Sequence, residues 1–202
     1  LRSTSGPGAR RGAAMTWDAE RKTLVMFGGV DGAGNRLRET WEWDGSQWSL
    51  KSSSGPSARS GVALAYYPPR QRVTLYGGNA ADGIQQDTWE WDGSTWSLRS
   101  AGGGVGTPGP RTGAAVAYDE YAQALAMFGG NNGSAFLGGP YRWNGTSWTS
   151  VFVNGAASQP VVRSGSVLQW SAERGKLVLF GGRTAGSGGS GMLGDTWELD
   201  LS

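Results

Sequence analysis

The sequence predicts an all-β protein made of four similar repeats, each with four short strands. Three observations lead to this prediction: a double glycine follows an apolar run four times, an Arg-x-Gly triplet recurs with the same spacing, and an aromatic segment follows each double glycine. Glycine accounts for 36 of the 202 residues and tryptophan for 11. Glycine and aromatic residues spread along a chain are typical of short strands joined by tight turns.

The double glycines and the Arg-x-Gly triplets define the repeats. The double glycines are Gly28-Gly29, Gly77-Gly78, Gly129-Gly130 and Gly181-Gly182, and the triplets begin at Arg10, Arg59, Arg111 and Arg163. Members of both series are separated by 49, 52 and 52 residues. Because a fixed period indicates a repeat architecture, we expect a single array over residues 1–202, with approximate repeats 8–52, 57–100, 109–150 and 161–202.

Each repeat is expected to contain four strands of different character. The first follows the Arg-x-Gly triplet and carries small residues that suit a crowded position. The second is the apolar run, whose continuous apolar character predicts burial on both faces. The third alternates, with Trp41 and Trp43 on one face and Glu42 on the other. The fourth carries Trp48, and the preceding Asp44-Gly45 is a strong hairpin signal.

A period of about 50 residues with four strands per repeat is typical of kelch repeats. The chain resembles the kelch family over nearly its whole length, through the Arg-x-Gly triplets, the double glycines and the spaced aromatic residues. The segment 87–93, Asp-Thr-Trp-Glu-Trp-Asp-Gly, is similar to bacterial kelch arrays of secreted or surface proteins. The resemblance implies a kelch-type β-propeller array of four four-stranded blades. It also implies an extracellular or cell-surface location, with a cytoplasmic one left open.

Two repeats depart from the common pattern. The third has Gly139-Pro140 before its third strand, and because proline removes a ladder donor, that strand is expected to be short or at an edge. The fourth reaches Asp200 without the fourth strand that carries a tryptophan elsewhere, and residues 1–3 match only the tail of such a strand. We therefore expect part of a larger or oligomeric propeller, with self-association as one way to complete it.

An incomplete array would expose apolar faces on its first and last repeats, and such faces promote association. The residues expected on these faces are Leu24, Met26, Leu177 and Leu179.

The composition excludes several classes of function. Histidine and cysteine are both absent, which removes Ser-His-Asp and Cys-His catalysis and the usual zinc, copper and haem ligands. The net charge is +2 without a run of Lys or Arg, so nucleic-acid binding is not expected. No apolar segment approaches the ~18 residues of a membrane span. The acidic residues recur in register rather than as one pair, so we expect no catalysis, no cofactor and no metal.

The arginines of the Arg-x-Gly triplets are the first candidate ligand-binding residues. Each begins an innermost strand, so in a propeller Arg10, Arg59, Arg111 and Arg163 would surround one mouth of the channel. A guanidinium group can bind a carboxylate or phosphate in a bidentate way. The resemblance implies a similar role, since arginines at matching positions of kelch-type adaptors help to hold acidic peptides. The alternative is that every repeat needs its arginine for structure.

The segments between the second and third strands are the other candidates. They cover residues 30–38, 79–86, 131–138 and 183–194, and they differ in length and sequence while the framework repeats. Variable loops on a rigid frame often carry recognition; the alternative is that they are tolerated insertions. The candidate residues in them are Asp31, Asn35, Asp82, Asn131, Asn132 and Arg183.

The tryptophans are expected to pack between blades rather than to bind sugars, because nine of the eleven fall on repeated positions and each buries a large area. Trp17 and Trp170 are also expected in the core. The predicted function is a non-catalytic scaffold that binds a protein or peptide, including acidic ones, through the face that carries the loops and arginines. The alternative is the propeller portion of a larger secreted enzyme or carbohydrate-binding protein, with its active residues outside this chain.

Overall fold

The structure is a computed structural model that describes residues 5–151, 159–185 and 191–201. Within them the chain is all-β and forms four main antiparallel sheets, numbered 1 to 4 along the chain. Helical structure in this part of the chain is limited to one 3-10 turn, Pro68–Arg70. None of it has the length and apolar character of a helix that crosses a membrane.

The strands of each main sheet lie side by side in chain order, although in sheets 1 and 2 short strands of other sheets occur between the second and the third. Sheet 1 contains Ala14–Asp18, Thr23–Phe27, Thr40–Trp43 and Trp48–Ser52; sheet 2 contains Ala63–Tyr67, Arg72–Tyr76, Thr88–Trp91 and Trp96–Ser100. Sheet 3 contains Ala115–Asp119, Ala124–Phe128, Tyr141–Trp143 and Trp148–Ser150, and the described part of sheet 4 contains Val167–Ser171, Lys176–Phe180 and Thr196–Leu199. Shorter strands are Arg10–Arg11 with Val30–Asp31, and Arg59–Ser60 with Asn79–Ala80 and Gly83–Ile84. Four strands per repeat are thus confirmed for the first three repeats.

The core lies between consecutive sheets. The second strand is buried on both faces in sheets 2 and 3, as the apolar run predicts, and Val25, Leu75 and Leu179 are 0% exposed. In sheet 4 the prediction is correct for one face only, because Phe180 is 53% exposed. Three hydrophobic clusters join sheet 1 to sheet 2, sheet 2 to sheet 3 and sheet 3 to sheet 4, and the first strands of these neighbours lie side by side. We call each of these three interfaces a junction.

The double glycines allow the next repeat to approach closely. Gly77 has a φ of +63°, and a Cβ there would collide with the carbonyl oxygen of Arg111 in the following repeat. Its neighbour Gly78 donates a backbone hydrogen bond of 2.9 Å to the same oxygen. The equivalent bonds at the other two junctions join Gly29 to Arg59 and Gly130 to Arg163. A side chain would block this contact, which explains why the glycines recur.

Tryptophan side chains add polar contacts across two junctions. Trp96 Nε1 donates to Thr40 Oγ1 at 2.8 Å, and Trp148 Nε1 donates to Thr88 Oγ1 at 3.0 Å. Trp91 is fully buried and donates to Glu42 Oε1 at 3.0 Å. Packing between sheets is therefore confirmed as the role of these residues.

Several sequence predictions for single residues need correction. Trp17 is 51% exposed rather than in the core, because sheet 1 has no preceding sheet in the described chain. Of the residues expected on exposed apolar faces, Met26 is only 9% exposed, and Leu177 and Leu179 are fully buried because they face sheet 3. The exposed apolar residues of sheet 4 are Val167 and Phe180.

The third strand of sheet 3 is shortened, as the proline predicts, to the three residues Tyr141–Trp143. It lies inside its sheet rather than at an edge, because it pairs with strands on both sides. The residues 1–3 that match a fourth-strand tail lie outside the described residues.

Candidate functional site

The variable segments form a row of short hairpins next to the Arg-x-Gly triplets. Val30–Asp31 pairs with Arg10–Arg11, and Asn79–Ala80 pairs with Arg59–Ser60. In the third and fourth repeats Asn131 bridges to Thr112 and Arg183 bridges to Ser164. We call the surface made by Arg11 and by the described residues of segments 30–38, 79–86, 131–138 and 183–194 the hairpin face. Its strand pairing holds all four segments at one end of the sheets.

The arginines of the triplets are buried beneath this face and are satisfied within their own repeats. Arg59 is 2% exposed and Arg163 is 0% exposed. Arg59 donates to both carboxylate oxygens of Asp87 and to the carbonyl of Gly77. Arg163 makes the same bonds with Asp195 and with the carbonyl of Gly181.

The same arrangement is present in the first repeat and modified in the third. Arg10 donates to Glu39 Oε2 at 2.8 Å and to the carbonyl of Gly28. Arg111 has no carboxylate partner among the described residues; it donates to three glycine carbonyls and lies 4.9 Å from the ring centroid of Tyr141. Guanidinium groups engaged in this way have little left to offer a ligand, which favours the structural alternative for all four arginines.

The carboxylates that hold the arginines also accept from tryptophans. Trp89 Nε1 donates to Asp87 at 2.8 Å, and Trp197 Nε1 donates to Asp195 at 2.6 Å. The hydrogen bond from Arg163 is the main cause that lowers the pKa of Asp195. In the first repeat the hydrogen bond from Trp41, followed by that from Arg10, lowers the pKa of Glu39. The lowered pKa values favour the charged forms of Glu39 and Asp195, which keep their arginines fixed at the base of the hairpin face.

Most polar residues predicted in the loops shape their own hairpins. Asp31 Oδ1 accepts from the amides of Ala33 and Asn35, at 2.9 and 2.8 Å. Asn35 Nδ2 also donates to Asp31 Oδ2, and this side-chain bond is the main cause that lowers the pKa of Asp31. Asp82 accepts from Gln85 Nε2 at 2.9 Å. These bonds are typical of turn-forming Asp and Asn residues.

In the third hairpin, Asn131 and Asn132 play the same part. Asn131 Oδ1 accepts from the amide of Gly133 at 2.6 Å, and Asn132 Oδ1 accepts from the amides of Ser134 and Ala135. Both side chains therefore preorganise the loop.

Neighbouring hairpins contact one another along the face. Arg36 of the first hairpin donates to the backbone carbonyl and the side-chain oxygen of Asn79 in the second, at 3.0 and 3.3 Å. Arg183 of the fourth hairpin lies 5.7 Å from the ring centroid of Phe136 in the third. Arg36 and Phe136 were missed by the sequence argument, and an arginine or aromatic residue within a Gly-rich loop is the signal that could have found them.

The hairpin face carries more exposed or half-buried positive groups than negative ones. The guanidinium groups are those of Arg11, Arg36, Arg38 and Arg183, and the carboxylates outside the buried arginine pairs are those of Asp31 and Asp82. Arg11 is exposed, makes no side-chain hydrogen bond or ion pair with the described residues, and lines a cavity of about 480 Å³ beside Val30 and Asp31. An acidic ligand is the natural complement of such a surface.

A second cavity lies between the four first strands. It has a volume of about 510 Å³ and is lined by residues of all four sheets, including Met15, Tyr66, Tyr118 and Trp170. An adjoining cavity of about 420 Å³ shares Met15, Leu64, Val116 and Leu168 with it. Carboxylates are sparse here, and no group of three or more potential metal ligands occurs anywhere in the described chain.

Comparison with known proteins adds no assignment. No family description matches the chain, and no curated protein sequence is significantly similar to it.

Proposed function

We propose that the chain is a four-blade portion of a kelch-type β-propeller that acts as a non-catalytic scaffold and binds an acidic protein or peptide segment through its hairpin face. The propeller assignment is supported by four sheets that follow one another in chain order, with their first strands side by side. It is also supported by the repeated arginine and double-glycine contacts between consecutive repeats.

The observation that carries the binding proposal is the contact between neighbouring hairpins of different sequence. Arg36 reaches Asn79 across one boundary, and Arg183 reaches Phe136 across another. The first segment is therefore joined to the second and the third to the fourth, so the four segments are not separate insertions on the repeated framework. A rigid frame with variable surface segments suits recognition, and the excess of guanidinium groups selects acidic partners.

The proposal is tested by titrating the chain with a fluorescent Glu-rich peptide and measuring anisotropy at two salt concentrations. We expect saturable binding that weakens with added salt, because exposed charge pairs are screened. The double variant Arg11→Ser/Arg183→Ser removes two positive charges from the hairpin face and is expected to weaken binding about tenfold or more, since charge-assisted contacts contribute roughly 1 kcal/mol each.

A matched control removes two positive charges elsewhere. Lys22 lies in the turn between the first two strands and has a φ of +54°, a conformation that asparagine tolerates. Lys51 lies on the fourth strand of sheet 1, with its side chain 41% exposed. The double variant Lys22→Asn/Lys51→Ser should bind as the unmodified chain does. An equal loss of affinity in the two double variants would show that the peptide is attracted only by the overall charge of the chain. That result would contradict a role for the hairpin face.

A further inference from the structure

Two sheet faces at the ends of the array have no neighbour in the described chain. The free face of sheet 1 carries Met15, Trp17, Trp43 and Trp48, and the free face of sheet 4 carries Val167, Val178, Phe180, Thr196 and Glu198. Met15 is 54% exposed, whereas the equivalent Leu64 of sheet 2 is 8% exposed. Phe180 is 53% exposed, whereas the equivalent Phe128 of sheet 3 is 2% exposed.

The three junctions inside the chain repeat the same backbone contacts. At the first, Gly29 N–H donates to the carbonyl of Arg59, and Arg59 N–H donates to the carbonyl of Leu37. Gly61 N–H also donates to the carbonyl of Gly12 at 2.8 Å. The second and third junctions have the corresponding bonds at Gly78, Arg111, Gln85 and Gly113, and at Gly130, Arg163, Leu137 and Gly165.

Side chains repeat across the junctions as well. A tryptophan of the following sheet donates to a threonine of the preceding one, as in Trp96 to Thr40 and Trp148 to Thr88. The same tryptophan packs edge-on against an aromatic residue that precedes the double glycine; Phe27 and Trp96 have ring centroids 5.5 Å apart.

The two free faces hold complementary halves of such a junction. Sheet 4 and its loop contribute two backbone groups, the N–H of Gly182 and the carbonyl of Leu193. They also contribute two side chains, the hydroxyl of Thr196 and the ring of Phe180. All four are at positions equivalent to those used in the internal junctions. Sheet 1 contributes the other half through the backbone of Arg10 and the indole of Trp48. Thr196 is exposed while its equivalents Thr40 and Thr88 are 0% exposed.

We propose that the free face of sheet 4 docks on the free face of sheet 1 of a second copy of this chain. In this junction Gly182 N–H donates to the carbonyl of Arg10, and Trp48 Nε1 donates to Thr196 Oγ1. The register follows from the internal junctions, so no new type of contact is required. Because each copy carries both faces, two copies form two identical junctions related by a twofold axis, and the assembly closes with eight sheets.

The described residues of one copy do not join sheet 4 to sheet 1 through a hydrophobic cluster. The hydrophobic clusters that they form join sheets 1 to 2, 2 to 3 and 3 to 4. Apolar side chains left on exposed sheet faces drive association, and the second copy is the partner that supplies every matching group.

Sedimentation velocity of the 202-residue chain at micromolar concentration tests the proposal. We expect a species of twice the 21.2 kDa chain mass. Phe180→Asp and Met15→Asp each place a charge in the proposed junction at a side chain that is more than half exposed in the single chain. Each should abolish the dimer without changing the β-sheet circular dichroism spectrum, because a buried unpaired charge is costly.

Two controls distinguish this specific dimer from nonspecific association. Tyr121→Asp adds the same charge at a turn residue that is 77% exposed, and this variant should remain dimeric. An equimolar mixture of the Phe180→Asp and Met15→Asp variants keeps one intact junction, so it should again form dimers, although more weakly than the unmodified chain. A monomeric unmodified chain, oligomers longer than two copies, or failure of the mixture to associate would each overturn the proposal.

Discussion

Arg59 donates hydrogen bonds to both carboxylate oxygens of Asp87, at 2.6 and 3.1 Å, beneath the second hairpin. The arginine is 2% exposed and the aspartate side chain is 16% exposed. The same Arg–carboxylate pair occurs in the first and fourth repeats, while Gly139 stands at the carboxylate position of the third. In these three repeats the pair therefore anchors the hairpin to its sheet and belongs to the framework.

Removing the carboxylate should leave a buried guanidinium without its charge partner. We expect Asp87→Ala to lower the free energy of unfolding by about 3 kcal/mol, since breaking a buried ion pair costs roughly 3–5 kcal/mol. Urea unfolding followed by tryptophan fluorescence measures it. Asp82→Ala removes the same charge from an exposed loop position and should change stability by less than about 0.5 kcal/mol. Equal losses would show that the pair has no anchoring role.

The glycines before each junction allow a matched comparison. Gly77 and Gly181 have φ values of +63° and +67°, so alanine at either position meets the same backbone penalty. Only at Gly77 would the added Cβ also collide with the carbonyl of Arg111; at Gly181 the nearest atom is the carbonyl oxygen of Leu193 at 3.4 Å.

Gly77→Ala should therefore destabilise the chain by about 1–3 kcal/mol more than Gly181→Ala, as expected for overpacking. The measurement is the difference between their urea midpoints in the Phe180→Asp background, where copies do not associate. Midpoints that coincide would mean that the close approach of the next repeat is not what requires glycine.

The threonines that accept from tryptophan give a second matched pair. Thr88→Val leaves the buried Trp148 indole N–H without its acceptor, which should cost about 1–3 kcal/mol. Thr196→Val changes the equivalent exposed threonine of sheet 4 and should be within about 0.5 kcal/mol of the parent chain. Both are compared by thermal unfolding in the Phe180→Asp background. A neutral Thr88→Val variant would contradict a stabilising role for this bond.

The stability of the chain is expected to depend on pH through Asp44, which lies in the turn between the third and fourth strands of sheet 1. The hydroxyl of Ser46, followed by the amides of Gln47 and Ser46, lowers the pKa of Asp44 from 3.8 to about 2. A carboxyl group whose pKa is lower in the folded state stabilises the fold above pH 3.8, and this contribution is lost as the pH falls towards 2.

Asp44→Asn should therefore flatten the fall in urea midpoint over this pH interval while leaving the turn intact. The third repeat naturally has Asn144 at this position, and its Oδ1 accepts from the amides of Thr146 and Ser147. An unchanged pH profile would indicate that the Asp44 carboxylate makes no contribution.

The repeat period and the strands could be predicted from sequence because the periodicity of side chains reflects local geometry. The double glycines also signalled a backbone constraint, which the structure explains by the carbonyl of the next arginine. The burial of Leu179 and the exposure of Phe180 could not be predicted, because they depend on which face of sheet 4 meets sheet 3. A single strand pattern does not reveal which face that is.

For the candidate site, the sequence predicted which segments form it but not which contacts their side chains make. The lengths and composition of the segments predicted recognition at the hairpins. They did not show that the Arg59 guanidinium donates its hydrogen bonds to Asp87, 28 residues away. Nor could they show that Arg36 meets Asn79, 43 residues away. Contacts over such separations depend on how consecutive repeats pack, and this information is absent from each loop taken alone.

Hydrogen exchange of the chain with and without a saturating Glu-rich peptide shows which surface the peptide contacts. We expect slower amide exchange in segments 30–38, 79–86 and 131–138, with no change in the turns at the opposite end of the sheets, such as Glu20 and Gln71. Protection confined to those turns or to the first strands around Tyr66 and Tyr118, or no binding at all, would contradict the assignment of the hairpin face as the recognition surface.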